Sequence, residues 1–93
     1  MSLRAKSTEP SPSFKKDFNT LPEKIKKLVD EFVQELFGGN IKSSRKLKKL
    51  DGKYSHVYSA RLNLHYRITF EIREKDRAWL RRVGPRENFY KNP

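Results

Sequence analysis

The sequence predicts an α+β domain in which a two-helix hairpin packs on a small antiparallel sheet. Residues 11–37 carry two helix-start signals and a helical spacing of apolar residues. Residues 54–83 alternate between polar and apolar residues in three segments, after a lysine-rich connector at residues 40–53. Helices followed by three successive strands favour an antiparallel meander with the helices on one face. At 93 residues the chain is expected to form one domain with a small core.

The first predicted helix is short. Residues 1–10 are polar and are expected to form an N-terminal tail or an edge strand, ahead of a single domain at residues 11–93. The pair Ser11-Pro12 is typical of an N-cap followed by the first helical residue. Phe14 and Phe18 lie four residues apart, so they share one face of this helix.

The second predicted helix gives the clearest periodic signal. Thr20 is expected to be its N-cap and Glu23 to complete a capping box. Gly38 and Gly39 provide a left-handed stop. The apolar residues recur at the i, i+3, i+4, i+7 spacing of one buried helix face; they are Ile25, Leu28, Val29, Phe32, Val33, Leu36 and Phe37.

Three strands are predicted: Tyr54 to Arg61, Leu64 to Ile72, and Arg77 to Val83. The middle strand alternates strictly, with apolar core-facing residues at Leu64, Tyr66, Ile68, Phe70 and Ile72 and polar residues between them. In the first strand His56 shares the parity of Tyr54 and Tyr58 and is interpreted as structural. The opposite sheet face has no predicted cover and is the expected place of function; it carries Arg61, Arg67 and, on the last strand, Arg81.

Positive charge is concentrated in the second half of the chain. The net charge is +11, and residues 41–93 hold fifteen basic and five acidic side chains. Such an asymmetry favours binding to a polyanion, most often nucleic acid. A basic soluble surface is one alternative, and an anionic membrane is a weaker one because the basic residues do not share one apolar-backed helix. The expected nucleic-acid-binding residues are Lys46, Lys48, Lys49, Lys53, Arg81 and Arg82, which would add salt-dependent affinity without sequence information.

Several classes of function are excluded by composition. The absence of cysteine excludes disulfides, thiolate catalysis and cysteine zinc sites, and two histidines are too few for a histidine metal site. The sequence has no apolar run of transmembrane length and no apolar segment of a secretory signal at its start. We therefore expect no metal, no small-molecule cofactor, no membrane association and a cytoplasmic protein.

The order of the elements and five stretches of sequence resemble the RelE/ParE superfamily of bacterial toxins. The stretches are residues 13–22, residues 47–52, Ala60-Arg61, Tyr66-Arg67-Ile68-Thr69-Phe70 and the closing Val83-Gly-Pro-Arg-Glu-Asn-Phe-Tyr90. The resemblance spans residues 11–91. It implies a sheet backed by the helix hairpin, an N-terminal strand within residues 3–9, and an antitoxin as partner.

The resemblance also implies one of two activities. RelE-like members cut mRNA in the ribosomal A site, whereas ParE-like members inhibit DNA gyrase without nuclease chemistry. Arg67 matches the family's Tyr-Arg arginine, which RelE-like members place at the scissile phosphate. Arg86 matches the arginine of the closing motif, Tyr90 the tyrosine beyond it, and Arg61 the arginine that ends the preceding strand.

Three positions depart from the family pattern. Pro85 stands where many members have a histidine, and Val57 and Ser59 stand where RelE itself projects lysines. The usual proton-transfer groups are therefore not obvious in this chain.

RNA cleavage without a metal needs a base for the ribose 2′-hydroxyl, cations for the phosphorane charge and an acid for the leaving oxygen. Arg67 and Arg86 suit the cationic role, because a guanidinium grips two phosphate oxygens. His65, Glu87 and Tyr90 are the candidates for proton transfer. His65 has a suitable intrinsic pKa, with an ordinary turn residue as the alternative. Tyr90 either acts at the site or packs on the core.

We therefore expect a toxin that acts as a ribosome-dependent mRNA endoribonuclease, with mRNA, the ribosome and an acidic antitoxin as partners. The expected catalytic residues are Arg67, Arg86, Tyr90, Arg61 and His65. A gyrase inhibitor without nuclease activity and a non-catalytic basic RNA-binding module remain as alternatives. The proton-transfer group would separate these functions, and the sequence supplies it poorly.

Overall fold

The computed structural model describes residues 3–89 and Pro93. The helices are α1 (Pro12–Asn19) and α2 (Glu23–Gly38). The strands are β1 (Ser7–Pro10), β2 (Lys48–Lys49), β3 (Tyr58–Arg61), β4 (Tyr66–Arg73) and β5 (Arg77–Pro85). They form one sheet in the order β1-β5-β4-β3-β2.

The α+β prediction is confirmed, and the sheet is larger than the predicted meander. Strands β3, β4 and β5 pair antiparallel as expected. Strand β1 adds to β5 in parallel, so residues 7–10 form an edge strand of the sheet. Strand β2 adds to the other edge beside β3 and was not predicted, because two consecutive lysines carry no apolar alternation.

The two helices cover one face of this sheet. Phe32 of α2 is completely buried, with its ring centroid 5.6 Å from that of Phe70 on β4. Phe14 and Phe18 of α1 stack at 6.1 Å, as their spacing predicted. The core-facing strand residues include Ala60, Ile68, Phe70, Leu80 and Val83. Within the described residues, no helix is long and apolar enough to cross a membrane.

The helix ends follow the sequence signals with one exception. Ser11 caps α1, since its Oγ accepts a hydrogen bond of 3.0 Å from the Phe14 amide. Gly39 ends α2 at a φ of 70°. The predicted capping box at Thr20 and Glu23 is wrong. Thr20 is instead the C-cap of α1, and its hydroxyl donates a hydrogen bond to the Asp17 carbonyl. Pro22 occupies the N-cap position of α2.

The turn before β4 lies later than predicted. Residues 62–65 form the turn, and β4 begins at Tyr66 rather than at Leu64. Leu64, predicted to face the core, is 73% exposed, while Leu62 is buried in its place. The amides of His65 and Tyr66 both donate to the Asn63 side-chain oxygen at 2.8 and 2.9 Å. This Asx turn competes with strand pairing and overrides the alternation.

The lysine-rich connector is fixed to the body by a buried ion pair. Arg45 lies within this connector, and its side chain is only 6% exposed. Its Nη2 lies 2.8 Å from the Oε2 of Glu35 on α2, and its Nη1 donates to the Leu62 carbonyl at 2.9 Å. The pair thereby links α2, the connector and the turn before β4.

Candidate nucleic-acid interface

A cleft of about 280 Å³ lies on the sheet face opposite the helices. Strand pairing places Ser59 of β3 across from Thr69 of β4, and Lys48 of β2 across from Ser59. Arg67 lies two residues before Thr69 on the same strand face. The lining is Lys48, Leu50, Ser59, Arg67, Thr69, Arg86, Phe89 and Pro93. The cleft thus combines three cationic side chains with two hydroxyls.

Arg67 lies at the centre of this face. Its Nη1 is 3.5 Å from the Ser59 hydroxyl, so the guanidinium extends along the cleft floor. Its cross-strand partner on β3 is Arg61. Like charges directly opposite one another destabilise a sheet. An anion bound between the two strands would relieve this repulsion.

Arg86 reaches the cleft from the end of β5. Its amide donates a hydrogen bond of 2.8 Å to the His65 carbonyl, which attaches the segment after β5 to the turn before β4. This attachment brings Arg86 to the cleft that Arg67 also lines. Gly84 pairs with Arg67 across the sheet, so no side chain on β5 crowds the guanidinium at that register position.

The other predicted catalytic residues are placed differently. Arg61 is half-buried, and His65 is exposed in the turn, where its carbonyl rather than its imidazole contacts Arg86. Neither residue lines the cleft. Glu87 is exposed on the segment that follows Arg86. Tyr90 lies outside the described residues.

The arginines differ in whether a carboxylate lies within ion-pair distance. Arg45, Arg73, Arg77, Arg81 and Arg82 each have a carboxylate within ion-pair distance. Among residues 3–89 and Pro93, no carboxylate pairs with Arg61, Arg67 or Arg86 in this way. The cations at the cleft therefore keep their charge available for a ligand.

Two predicted nucleic-acid-binding residues are engaged within the fold. A register shift between β4 and β5 leaves Arg81 as an extra residue, because Thr69 pairs with Arg82 and Phe70 with Leu80. Arg81 contacts Glu71 at 2.7 Å, and Arg82 contacts Asp17 of α1 at 2.6 Å. The hydrogen bond that Arg82 donates to the Asp17 carboxylate raises the pKa of Arg82 despite partial burial. Each of the two guanidinium groups therefore has its charge partly compensated by a carboxylate of the fold.

The lysines of the connector also lie in different places. Lys48 lines the cleft, whereas Lys49 lies with its Nζ 5.9 Å from the Tyr58 ring centroid on the other side of the sheet edge. Lys53 lies 5.3 Å from the Tyr54 ring centroid, and Lys46 lines a separate depression beside Gly39 and Ile41. The sequence run alone could not separate these positions.

A buried carboxylate occupies the same sheet face. The Glu71 side chain is only 11% exposed. Burial alone would raise its pKa, and hydrogen bonds and charges from Arg73 and Arg81 lower it overall. His56 was interpreted as structural from the parity it shares with Tyr54 and Tyr58; its side chain is 57% exposed, and its Nε2 lies 3.6 Å from Glu71. Val57 is the buried residue of this segment.

Sequence reasoning missed the two hydroxyls of the cleft. Ser59 and Thr69 are 4% and 1% exposed, and the Thr69 Oγ1 has no hydrogen-bond partner within the described part of the chain. Their shared parity with Arg67 was the signal that could have identified them. In the same described ranges, no three histidine, aspartate or glutamate side chains converge to hold a metal ion.

A family model described as ParE-like toxin of type II bacterial toxin-antitoxin system matches residues 8–93. The chain belongs to this family. A comparison of the sequence with curated proteins found no match.

Solved structures of toxins have the same fold. YafQ from E. coli strain BL21(DE3) superposes with a TM-score of 0.77 at 14% identity, covering 89% of this chain and 96% of that one. A chain of the RelBE2 toxin-antitoxin complex from Mycobacterium tuberculosis superposes with a TM-score of 0.64 at 21% identity, covering 91% of this chain and 99% of that one. A chain of the RelB-RelE antitoxin-toxin complex from Methanococcus jannaschii gives 0.67 at 29% identity, with 90% and 96% covered. The RelE/ParE-like fold expected from the resemblance is confirmed.

Proposed function

We propose that this toxin is a ribosome-dependent mRNA endoribonuclease whose cleft binds the scissile phosphate. The observation that carries the proposal is the convergence of Arg67, Arg86 and Lys48 on one cleft, without a carboxylate partner for either arginine among residues 3–89 and Pro93. A cluster of uncompensated guanidinium groups is suited to phosphate oxygens. The likeness to YafQ and RelE chains supports the same assignment.

The described part of the cleft supplies electrostatic stabilisation. The ribose 2′-hydroxyl loses its proton as its oxygen attacks the adjacent phosphorus, and the bond from phosphorus to the 5′-oxygen breaks as that oxygen takes up a proton. Between these events negative charge grows on the non-bridging oxygens. Arg67 and Arg86 would hold that charge from two sides. Stabilisation of this kind is usually the largest single contribution to catalysis. Lys48 would contact the neighbouring phosphate of the strand.

Controlled expression of the toxin tests the proposal against its alternatives. Translation arrest with mRNAs cut within codons is the expected result. Gyrase-linked DNA breaks with intact mRNA would instead assign the ParE-like activity. Binding of RNA without any toxicity would show a module without chemistry. Both of these outcomes contradict the proposal.

Lys48→Ala is expected to weaken binding of single-stranded RNA modestly and to reduce the slope of log affinity against log salt by about 0.7, since one phosphate contact is lost. Lys49→Ala is the matched control, because the Lys49 side chain lies beside Tyr58 on the other side of the sheet edge, away from the cleft. Fluorescence anisotropy over a salt series measures both slopes. Equal slopes for the two variants would place the RNA elsewhere than in the cleft.

We also propose an acidic, partly disordered antitoxin segment as the partner of the basic half of the chain. The RelBE2 and RelB-RelE relatives were solved as complexes with antitoxins. The net charge of +10 over residues 41–93 favours an acidic segment that wraps a wide surface. Addition of the antitoxin is expected to abolish RNA binding at the cleft, measured by anisotropy. A basic partner, or one that binds only the exposed side of α2 and leaves RNA binding intact, would contradict this prediction.

A further inference from the structure

Glu71 holds two arginines against two aromatic rings. Its Oε1 accepts from the Nε of Arg73 at 2.8 Å, and its Oε2 accepts from the Nη1 of Arg81 at 2.7 Å. The Arg73 guanidinium carbon lies 4.2 Å from the Trp79 ring centroid. That of Arg81 lies 5.8 Å from the Tyr54 ring centroid. We call this group of five residues the aromatic platform.

The two rings lie outside the hydrophobic core. Neither Tyr54 nor Trp79 belongs to the core cluster or to the apolar side chains packed against it. Both residues are half-buried. Together with Arg81 they line a depression of about 330 Å³, which shares the lining residue Pro93 with the cleft. Each ring therefore keeps part of its surface exposed at the depression, where a flat ligand can reach it.

The chemistry of the platform differs from that of the cleft. Both of its arginines already share the Glu71 carboxylate, so their charge is partly compensated. What the depression offers is π surface, which stacks on the flat face of a nucleobase. Phosphate would gain more at the cleft, where the described arginines have no carboxylate partner.

We propose that the aromatic platform binds a base of the same RNA strand whose phosphate occupies the cleft. This inference rests on the proposed function for its choice of strand. Glu71 and Arg67 share one face of β4 four residues apart, which is about 13 Å at the rise of an extended strand. A short single-stranded segment can span the two sites. Recognition is by stacking and therefore tolerates any base.

Trp79 reports on its own site, because it is the only tryptophan of the chain. A single-stranded oligoribonucleotide titrated into the full-length toxin is expected to quench Trp79 fluorescence. An abasic oligonucleotide of equal length carries the same phosphates and is expected to bind the cleft without that quenching. If both oligonucleotides bind and neither changes the emission, the platform is not a base site.

Variants separate stacking from a structural effect. Tyr54→Ala and Trp79→Ala are each expected to lower affinity for the oligoribonucleotide about tenfold and to leave affinity for the abasic strand unchanged. Tyr54→Phe and Trp79→Phe keep a ring and should retain near wild-type affinity, even if an alanine variant fails to fold. Leu64→Ala, an exposed apolar residue in the turn before β4, is the matched control. The proposal would be overturned if the alanine variants lost affinity equally for the oligoribonucleotide and the abasic strand. It would also be overturned if no variant of Tyr54 or Trp79 lost affinity for the oligoribonucleotide.

The platform and the proposed function can fail separately. If Arg67→Ala leaves RNA cleavage unchanged while Trp79 is still quenched, the cleft is not the phosphate site and the platform stands. If cleavage depends on Arg67 while Trp79 and Tyr54 can be replaced freely without loss of affinity, the cleft stands and the platform is overturned.

Discussion

Arg67→Ala and Arg86→Ala are each expected to lower RNA cleavage by on the order of 100- to 1000-fold, the usual cost of removing one donor from a charge-stabilising site. The loss should appear mainly in kcat, since both guanidinium groups act on charge that develops in the transition state. Single-turnover cleavage of mRNA on programmed ribosomes measures it. Toxicity on expression should disappear in both variants.

The fold should survive both substitutions. Within the described residues neither side chain has an ion-pair partner, and Arg67→Ala also removes a like charge from the position opposite Arg61. Thermal unfolding is therefore expected at an unchanged or slightly higher temperature. Arg77→Ala is the matched control, because that arginine lies at the far end of β5 and pairs with Glu9. Full toxicity of both cleft variants at wild-type expression levels would refute the phosphate-binding mechanism, whatever the fold.

The sequence predicted those parts of the fold that rest on periodicity and local capping. The spacing of apolar residues in α2 located its buried face, and the Ser11-Pro12 signal located the start of α1. What failed depended on partners distant in sequence. Nothing near Lys48 indicates that it pairs with Ser59 in a sheet, and nothing near Arg45 indicates that Glu35 lies against it. Such pairings are decided by tertiary contacts, which override local pattern.

The site was predictable to the extent that strand parity and the family resemblance apply. Parity placed Arg67 on the uncovered face, and the closing motif indicated Arg86. Parity failed at His65 and His56, where a side-chain-bonded turn and the irregular segment before β3 end the alternation. Charge counting also failed to distinguish Arg81 and Arg82 from the cleft arginines, because their carboxylate partners come from other elements. A basic residue indicates a ligand site only when the fold leaves it unpaired.

Glu35→Gln is expected to destabilise the fold by about 3–5 kcal/mol, because it leaves the buried Arg45 guanidinium without its principal counter-charge. This is a large fraction of the stability typical of a domain of this size. Urea denaturation followed by circular dichroism measures the change. Glu31→Ala is the matched control: Glu31 lies 3.7 Å from the same guanidinium but is 57% exposed, so its loss should cost less than about 1 kcal/mol.

Acidic pH is expected to narrow the difference in free energy of unfolding between the wild type and Glu35→Gln. Burial raises the pKa of Glu35, but hydrogen bonds and charges from Arg45 and Lys42 lower it below 4.5 overall. A carboxylate with a lowered folded-state pKa stabilises the fold fully above its unfolded-state pKa. That contribution is lost as the pH falls from 4.5 through the folded-state pKa, and the glutamine variant has none to lose. A stability difference that stays constant below pH 4.5 would show that the ion pair does not carry it.

The same pair should also affect the cleft. Arg45 donates to the Leu62 carbonyl at 2.9 Å, and the turn that it holds leads directly into β4, which carries Arg67. Arg86 is attached to that turn through the His65 carbonyl. Glu35→Gln is therefore expected to raise KM for RNA cleavage at a temperature where the variant is still folded, although Glu35 does not line the cleft. An unchanged KM in the folded variant would show that β4 positions Arg67 without help from the connector.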